Sequence, residues 1–532
     1  MKSLTDYLLG VWADAECQLK GIDAWRTAPD DHQVMIRSYA RLATRVEALS
    51  ALQSYADSHE GWIGETTDLF AQSVLVGMVD EPCVTALSEE TLAEVMRIAT
   101  PCDPGIVDTY AAIGQALLES DGVNNRGVAV ANEDDSAEQE LRSTTRKFAQ
   151  ENVAPRAESI HREDLLIPED IITSMAELGY FGLSIPDKYD GVGMSNLMMV
   201  LATEELSAAS LGAAGSLMTR PEILSKALLK GGTEAQKATW LPRIASGETM
   251  VAVAVTEPNV GSDVASVSCR ATETELNGQA GYLLNGAKAW CTFAGRANIL
   301  ALLARTEDGA ALGHKGLSLF IVEKNAHEGH EFVDVQDGGG KLNAKADATL
   351  GYRGMHSYTL QFDDYFVPAE NLVGEEGGRG KGFYLQMDGF AAGRLQTGGR
   401  AVGLGQAALE TTIQYAKDRP QFGRPISEYQ STQYEIGRMV VDLEAARQLT
   451  YAAARAMDNG ATNANLLASM AKLFACRVAV NATQKGQLMH GGWGYAEEYP
   501  ISRYVVDALV LPIFEGVEPI LEMKVIGRGL LG

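Results

Sequence analysis

A single carboxylate near the end of the chain, Glu515, has the neighbours that suit a general base. It stands between Phe514 and Gly516, in the sequence LPIFEGVEPI of residues 511–520. An acid buried among such apolar neighbours is desolvated, which disfavours the anion and raises the pKa of a carboxyl toward neutrality. A carboxylate in that state accepts protons at neutral pH. The alternative is a structural acid that caps a helix starting near Pro519.

Other segments combine aromatic, hydroxyl and glycine residues in a fixed order along the chain. They are VAVTEPNVGSD at 253–263, LNGAKAWCT at 284–292, RPQFG at 419–423, GGWGY at 491–495 and FEG at 514–516. In these motifs and in their order, the chain resembles the acyl-CoA dehydrogenase family of flavoproteins over roughly 137–532. The resemblance implies an α+β multidomain fold with an N-terminal helical domain, a middle antiparallel β domain and a C-terminal helical bundle.

The resemblance also implies FAD as the cofactor and assigns residues to it. Four residues match the positions that supply an aromatic wall and hydrogen-bond donors at the edge of the flavin ring: Val255, Thr256, Trp290 and Thr292. For Trp290 the alternative is a side chain in the core of a strand. Three more match a segment that a neighbouring subunit offers to FAD: Arg419, Gln421 and Phe422.

Further positions of the family match glycines and polar residues of this chain. Gly491 and Gly492 match a turn where the backbone approaches the cofactor, which glycine permits. Ser262 matches a residue near the cofactor and the CoA thioester arm, and Arg394 and Gly516 match residues of the substrate region. There are also departures, because relatives often carry glutamine where this chain has Leu488, with Gln487 one step earlier, and Ala391 and Val517 replace polar residues of the family.

The implied reaction is the α,β-dehydrogenation of an acyl-CoA thioester. Glu515 would take the α-proton while a hydride leaves the β-carbon for the flavin. In relatives the thioester carbonyl is polarised by a flavin ribityl hydroxyl and by the main-chain N–H of the catalytic glutamate, which stabilises the developing oxyanion. The resemblance implies electron-transfer flavoprotein as the electron acceptor, and a homodimer or homotetramer as the assembly.

The periodicity of apolar residues predicts the elements that position these motifs. Residues 1–119 repeat at helical spacing and predict an extra N-terminal helical domain, which holds no catalytic constellation and is expected to be structural. Residues 120–136 are polar and predict a linker. Helical spacing continues over 137–249, a period of two predicts a β domain over 250–376, and helices return over 377–532.

Two local patterns predict details of the helical regions. An Ala- and Met-rich stretch predicts one long helix over 196–217, ended by Pro221 because the residue before proline avoids the α region. Gly403 and Gly405 resemble a dinucleotide fingerprint, but they lie in a helical run without a preceding strand. They are therefore predicted to form a helix-packing face.

Composition restricts the partners and the compartment. The formal net charge of -26 argues against nucleic acid and anionic membrane surfaces as partners, since both require basic patches. The cysteines form no CxxC pair, which predicts reduced thiols in the cytoplasm and no metal site. Neither a signal peptide nor an apolar run long enough to span a membrane is expected.

Within the family, the extension and two segments, LMTRPEIL at 217–224 and GYRGM at 351–355, resemble those of members that act on a short, branched dicarboxylic acyl-CoA, and the resemblance implies such a substrate. The specific expectation is (2S)-methylsuccinyl-CoA, which would give mesaconyl-CoA. A buried substrate carboxylate favours an arginine fork, and Arg220 is the first candidate. The alternative is a surface arginine that follows a helix.

Other functions stay open from the sequence. An acyl-CoA dehydrogenase or oxidase for another short or branched substrate uses the same motifs. A DNA-associated flavoprotein of the same fold would need a basic face, which the net charge of -26 opposes.

Overall fold

The computed structural model describes residues 4–58, 63–98, 104–120, 136–307 and 310–532. The chain forms two compact units. Unit 1 comprises Met1–Thr145, Val200–Ala208 and Thr397–Gly532, and unit 2 comprises Arg146–Met199 and Ala209–Gln396. The N-terminal extension therefore shares one compact unit with the C-terminal helices.

Helices occupy both ends of the chain, as the periodicity predicts. Their bounds are α1 Leu4–Lys20, α2 Asp23–Thr27, α3 Gln33–Ala56, α4 Ile63–Val79, α5 Glu89–Ile98, α6 Pro104–Glu119, α7 Ser136–Phe148, α8 Ala154–Arg162, α9 Glu169–Glu177, α10 Asn196–Ala209, α11 Thr219–Gly231, α12 Glu234–Ala245, α13 Gly382–Asp418, α14 Gln430–Asp458, α15 Ala464–His490, α16 Ile501–Ala508, α17 Glu518–Ile520 and α18 Arg528–Leu531.

The strands lie between α12 and α13, apart from a small hairpin after α13. Their bounds are β1 Val251–Ala254, β2 Arg270–Leu276, β3 Gln279–Thr292, β4 Ile299–Arg305, β5 Leu317–Glu323, β6 Glu331–Val335, β7 Lys341–Ala346, β8 Ser357–Pro368, β9 Pro420–Gln421 and β10 Arg424–Pro425. The predicted order of helices, strands and helices is confirmed.

The main sheet of unit 2 has the order β1-β4-β2-β3-β8-β7-β6, with β5 paired to β4. Most neighbours are antiparallel, but β1 runs parallel to β4, and β2 meets β4 in parallel at Arg270 and Arg305. The predicted antiparallel β domain is thus a mixed sheet. Helices α11 and α12 cover β1, β4 and β5 through a buried apolar cluster that includes Leu228, Trp240 and Ile321.

The predicted helix over 196–217 is wrong in its second half. Helix α10 ends at Ala209, a π-helical turn covers Leu211–Gly215, and α11 begins at Thr219. Pro221 therefore lies in the first turn of a helix and does not end one. Proline is tolerated there because the first N–H groups of a helix have no partner within it.

In unit 1 the extension packs directly on the C-terminal helices. On α6 and α14, a glycine of each helix meets the backbone of the other. A Cβ atom on Gly114 would lie 1.8 Å from the carbonyl oxygen of Gln433, and one on Gly437 would lie 1.9 Å from that of Tyr110. The two glycines therefore allow the backbones of α6 and α14 to come close together.

The glycine pattern at 403–405 has the predicted packing role. A Cβ atom on Gly403 would lie 2.1 Å from the carbonyl oxygen of Glu204 on α10. Gly405 faces Leu443 of α14. Both glycines lie within α13, so the dinucleotide-binding alternative is excluded by the absence of a strand before them.

One helical stretch, Ala464–Tyr495, is long and apolar enough to cross a membrane by length and composition alone. Within its most apolar window 72% is buried inside the protein, as in the core helix of a bundle.

The predicted linker lies almost wholly outside the described residues, which stop at 120 and resume at 136. The domain boundaries stay predictions.

The α6–α14 contact makes Gly437→Ala a test of how far the extension contributes to stability. The added methyl group has no space against the Tyr110 carbonyl, so overpacking should cost about 1–3 kcal/mol of unfolding free energy in a urea titration. Gly10→Ala, in α1 with no atom within 4 Å of the new Cβ, is the control and should gain about 0.5–1 kcal/mol. Equal effects of the two substitutions would contradict the close contact.

Candidate active site

Trp290 leaves the plane of strand β3 at a bulge in unit 2. The pairing with β8 shifts register between Lys288 and Cys291, so Ala289 and Trp290 together face one residue of β8. Trp290 has a φ of 58°, in the left-handed region that side chains rarely adopt. Its indole is 60% exposed. The alternative of a strand-core tryptophan is therefore wrong, because the bulge turns the indole outward.

The same bulge collects the other residues predicted at the flavin ring. The N–H of Ala289 donates to the carbonyl oxygen of Thr256 at 2.8 Å, which joins the segment after β1 to the bulge. Val255 is buried next to this junction. The hydroxyl groups of Thr292 and Ser357 lie 3.0 Å apart. Unit 2 thus carries an exposed indole at the bulge, with the buried Val255 and the buried Thr292–Ser357 hydroxyl pair on the adjoining segments, a residue set that fits an aromatic ring with a polar edge.

A buried ion pair beneath this face was missed by the sequence interpretation. The Lys288 ammonium group lies 3.0 Å from a carboxylate oxygen of Glu257 and donates to the Val255 carbonyl at 3.0 Å. Glu257 also accepts from the N–H groups of Ser268 and Cys269. Burial alone would raise the pKa of Glu257, but the Lys288 charge and these hydrogen bonds hold it below its ordinary value. The sequence signal that could have found the pair is a lysine within the motif LNGAKAWCT of the predicted β domain.

In unit 1, the RPQFG motif forms the β9–β10 hairpin. Its two-residue turn, Phe422 and Gly423, has φ angles of 51° and 88°, as a type I′ hairpin requires. Phenylalanine is an unusual occupant of that turn, and its ring is 96% exposed. Arg419 and Gln421 are exposed beside it. The hairpin therefore presents an aromatic and an arginine to the outside of the unit.

A cleft of about 380 Å³ brings two of the predicted cofactor segments together within unit 1. It is lined by Thr411, Gln414, Tyr415, Asp418, Arg419, Pro420, His490 and Tyr499. The rings of Tyr415 and His490 stack 4.1 Å apart, and the Tyr415 hydroxyl donates to the His490 carbonyl. Arg419 belongs to the RPQFG motif and His490 precedes GGWGY, so both motifs border one cleft.

The turn after α15 contains the predicted glycines, and Leu488, where this chain departs from the family pattern, lies just before it. Gly491 has a φ of 60°, which requires glycine-like freedom, and Gly492 is exposed. Leu488 is 79% exposed where relatives often carry glutamine. The side-chain amide of Gln487 donates to the Gly494 carbonyl at 3.1 Å and so supports the turn itself.

Glu515 lies in unit 1 at a strained position of the chain. Its φ is 54° and that of Gly516 is 108°, so both adopt positive φ angles. Such a conformation costs a non-glycine residue about 1–3 kcal/mol and is concentrated at functional sites. The short helix α17 has Val517 at its N-cap and no side-chain cap, so Glu515 does not serve as the predicted structural cap.

Two cations hold this turn, and neither was singled out for it from the sequence. The buried Lys472 ammonium group donates to the Gly516 carbonyl at 2.7 Å. The Arg400 guanidinium lies 4.6 Å from the centre of the Phe514 ring, a cation–π distance. Because both flank the half-buried Glu515, the carboxylate is presented by a fixed backbone.

Arg220 lies in unit 2, in the first turn of α11, and is only 6% exposed. The interpretation as a surface arginine at the end of a helix is wrong. Its guanidinium donates to the Tyr352 hydroxyl at 3.1 Å and to the Ser216 carbonyl at 3.3 Å. Arg394 is half-buried on α13 and Ser262 is exposed in the segment after β1.

Comparison with known proteins shows which family the sequence matches. The acyl-CoA dehydrogenase N-terminal domain matches residues 135–248, the middle domain matches 252–365 and the C-terminal domain matches 380–531. The (2S)-methylsuccinyl-CoA dehydrogenase of Cereibacter sphaeroides is 38% identical over 517 residues, which cover 95% of this chain and 92% of that protein.

Solved structures share the fold. Butyryl-CoA dehydrogenase from Megasphaera elsdenii superposes with a TM-score of 0.67 at 30% identity, covering 75% of this chain and 98% of that one. The complex of glutaryl-coenzyme A dehydrogenase with glutaryl-CoA gives a TM-score of 0.67 at 32% identity, covering 76% of this chain and 96% of that one.

Lys288→Met tests whether the buried ion pair supports the Trp290 face. The substitution leaves the Glu257 carboxylate buried without its cation, which costs about 3–5 kcal/mol. Flavin content and unfolding free energy should both fall. Lys345→Met removes an exposed ion pair with Glu331 on the same sheet and should change neither.

The pH dependence of the Lys288→Met effect follows from the lowered pKa of Glu257. A carboxyl whose pKa is lowered in the folded state stabilises the fold above its unfolded pKa, and this stabilisation is lost as the pH falls through the folded value. The stability difference from wild type should therefore be full at neutral pH and shrink in acid. A difference that does not change with pH would contradict the assignment.

Proposed function

The chain belongs to the acyl-CoA dehydrogenase family, and we propose that it oxidises a short, branched dicarboxylic acyl-CoA, with (2S)-methylsuccinyl-CoA converted to mesaconyl-CoA. As a member of this family it is an FAD-dependent oxidoreductase that acts on the CH–CH group of its donor. The acyl group is the part of the proposal that depends on residues particular to this chain.

The burial of Arg220 without an acid partner among the described residues is the observation that supports a dicarboxylic substrate. It is buried, yet no described residue places a carboxylate within ion-pair distance of it. In unit 1 the buried Arg142 has acid partners, since it pairs with Glu204 at 2.9 Å and with Glu205 at 2.7 Å. A buried guanidinium without an anion is costly, so a substrate carboxylate is its natural counter-ion.

The position of Arg220 on α11 strengthens this requirement. The first turn of a helix carries partial positive charge from its free N–H groups, so a cation there is doubly unfavourable without an anion. Glu222, the acid of the same turn, is engaged elsewhere, since it bonds to the Ser184 hydroxyl and lies 3.6 Å from Lys226. The positive N-terminal end of α11 and the Arg220 guanidinium together favour the binding of a negatively charged group of a ligand.

The comparisons support the same substrate class. The similarity to (2S)-methylsuccinyl-CoA dehydrogenase covers 95% of the chain and so reaches into the N-terminal extension. The family domains begin at 135, and butyryl-CoA dehydrogenase covers only 75% of the chain. The glutaryl-CoA complex provides a relative whose ligand is also a dicarboxylic thioester.

In the proposed reaction Glu515 removes the α-proton of the thioester. Its carboxylate is half-buried on a turn that Lys472 and Arg400 hold in place, so its direction is fixed before substrate binds. Bound FAD would accept the hydride from the β-carbon. Trp290, Thr292, Val255 and Thr256 would hold the flavin ring.

Electron-transfer flavoprotein is the proposed acceptor of the electrons. A homodimer or homotetramer is the proposed assembly, because the β9–β10 hairpin exposes Arg419 and Phe422, which match the segment offered to a neighbour's FAD. A cytoplasmic location and the absence of nucleic-acid and membrane partners remain predictions of the sequence.

Glu515→Gln tests the base. The substitution keeps the shape of the side chain but cannot accept the proton, so kcat should fall by about 10²–10⁴-fold while FAD content stays unchanged. Glu497→Gln, an exposed acid of the same unit, is the control. Turnover of the Glu515 variant within about tenfold of wild type would rule out this base, given the usual size of acid–base catalysis.

Arg220→Ala tests the substrate class. With the guanidinium removed, the distal carboxylate is buried without a partner, which should lower kcat/KM for methylsuccinyl-CoA by about two to three decades. The uncharged 2-methylbutyryl-CoA never used the ion pair and should lose far less. Arg220→Lys should recover part of the loss, since lysine lacks the bidentate fork.

The two substrates separate the outcomes of this experiment. Equal losses on both would show that Arg220 supports the fold alone. No loss on either would move the search to Arg353 or Arg400. Arg353 already lies 3.3 Å from Asp164, whereas Arg400 is fully buried beside Phe514.

A further inference from the structure

A cluster of metal-ligand side chains lies in unit 2, and none of its members is assigned to flavin or substrate above. Asp164 follows α8, His330 precedes β6 and His356 precedes β8. Each offers one ligand atom, and these atoms lie within 4.8 Å of one another. Three separate segments of the chain therefore converge on one point through side chains that bind metals.

The contact between His356 and Asp164 is one that a cation would stabilise. Its Nδ1 lies 3.3 Å from the Gly354 carbonyl, which can only accept, so this contact is a hydrogen bond in the tautomer of His356 that carries the proton on Nδ1. In a neutral imidazole, Nε2 is then a bare acceptor. Nε2 nevertheless lies 3.2 Å from the Asp164 carboxylate, which also only accepts. A metal ion shared by Nε2 and the carboxylate, or a proton on Nε2, would satisfy both atoms.

The backbone of the cluster is strained in the way that ligand sites often are. Asp164 has a φ of 56° and His356 has a φ of 38°. A non-glycine residue in such a backbone conformation costs about 1–3 kcal/mol of stability, and the conformation persists where the surroundings impose it. The buried His356 is also the side chain with the least freedom to turn away from Asp164.

We propose that Asp164, His330 and His356 form a binding site for one divalent transition-metal ion, with Zn²⁺ as the reference ion. Imidazole nitrogens and a carboxylate suit Zn²⁺, Co²⁺ and Ni²⁺. Tetrahedral zinc at roughly 2.0–2.2 Å from each ligand sets the ligand atoms about 3.3–3.6 Å apart. The Asp164–His356 pair is already close to that spacing, and the exposed His330 closes the remaining distance by side-chain rotation.

The surroundings of the cluster match those of ligated side chains. A metal-bound histidine donates its other ring N–H to a carbonyl, as His356 does to Gly354, and a metal-bound carboxylate is itself held by a donor. Arg353 lies 3.3 Å from the Asp164 carboxylate and supplies that contact. Its positive charge also opposes the ion, so the site should bind more weakly than a structural zinc site with four ligands.

The test is metal binding to the FAD-loaded full chain. After removal of metals by a chelator, Zn²⁺ is titrated calorimetrically, and bound metal is counted after desalting. Wild type should bind one ion per chain at this site, and His356→Gln and Asp164→Asn should lose at least tenfold in affinity. His314→Gln, which removes a histidine bonded to Tyr384 instead, should bind like wild type.

His330→Gln keeps the proposal falsifiable if the buried variants fold poorly, because His330 is exposed. This variant should retain flavin and thermal stability without metal but lose the site and the rise in Tm that Zn²⁺ gives wild type. Equal Zn²⁺ affinity in wild type and all cluster variants would overturn the proposal. So would the absence of stoichiometric binding to wild type, which would leave a protonated His356 as the partner of Asp164.

Discussion

A buried charge has to meet an opposite charge, and this constraint organises both units of the protein. In unit 1, Arg142 and Arg447 share Glu204, and Arg447 also pairs with Glu444, deep among helices. Removing either partner of such a pair leaves an uncompensated ion at a cost of several kcal/mol. The helices that carry these groups are therefore fixed in register by electrostatics as well as by apolar packing.

The same constraint distinguishes buried cations that have an acid partner from buried cations that have uncharged partners. Lys288 and Glu257 satisfy each other beneath the Trp290 face, and their pairing holds the strand that presents the indole. Arg220 is equally buried but has only a phenol and a carbonyl as partners, both uncharged. Unit 2 thus buries an arginine whose described partners are uncharged, and under the proposed function a substrate carboxylate would be its counter-ion. Under the proposed function this pairing would be a source of specificity, because a carboxylate-free ligand cannot provide it.

Much of the architecture could be predicted from the sequence because it depends on periodicity and on ordered motifs. The change from helical to alternating spacing placed the sheet, and the motifs gave the family. The misplaced helix boundary at Pro221 arose because proline breaks a helix in its interior but is accepted in its first turn. The outward turn of Trp290 depends on a register shift between two distant strands, which no local pattern records. The burial of Arg220 likewise depends on segments remote in sequence, including the Tyr352 loop.

Strained backbone occurs at three residues of the predicted site segments. Glu515, Trp290 and Phe422 all adopt positive φ angles, although none is a glycine. Each such residue weakens the fold locally, so neighbouring interactions must hold it, as Lys472 does at the Glu515 turn. In the proposed reaction Glu515 would benefit from this arrangement, since a relaxed backbone would let its carboxylate turn into solvent. The cost in stability is offset by the large apolar core that the extension and the C-terminal helices build together in unit 1.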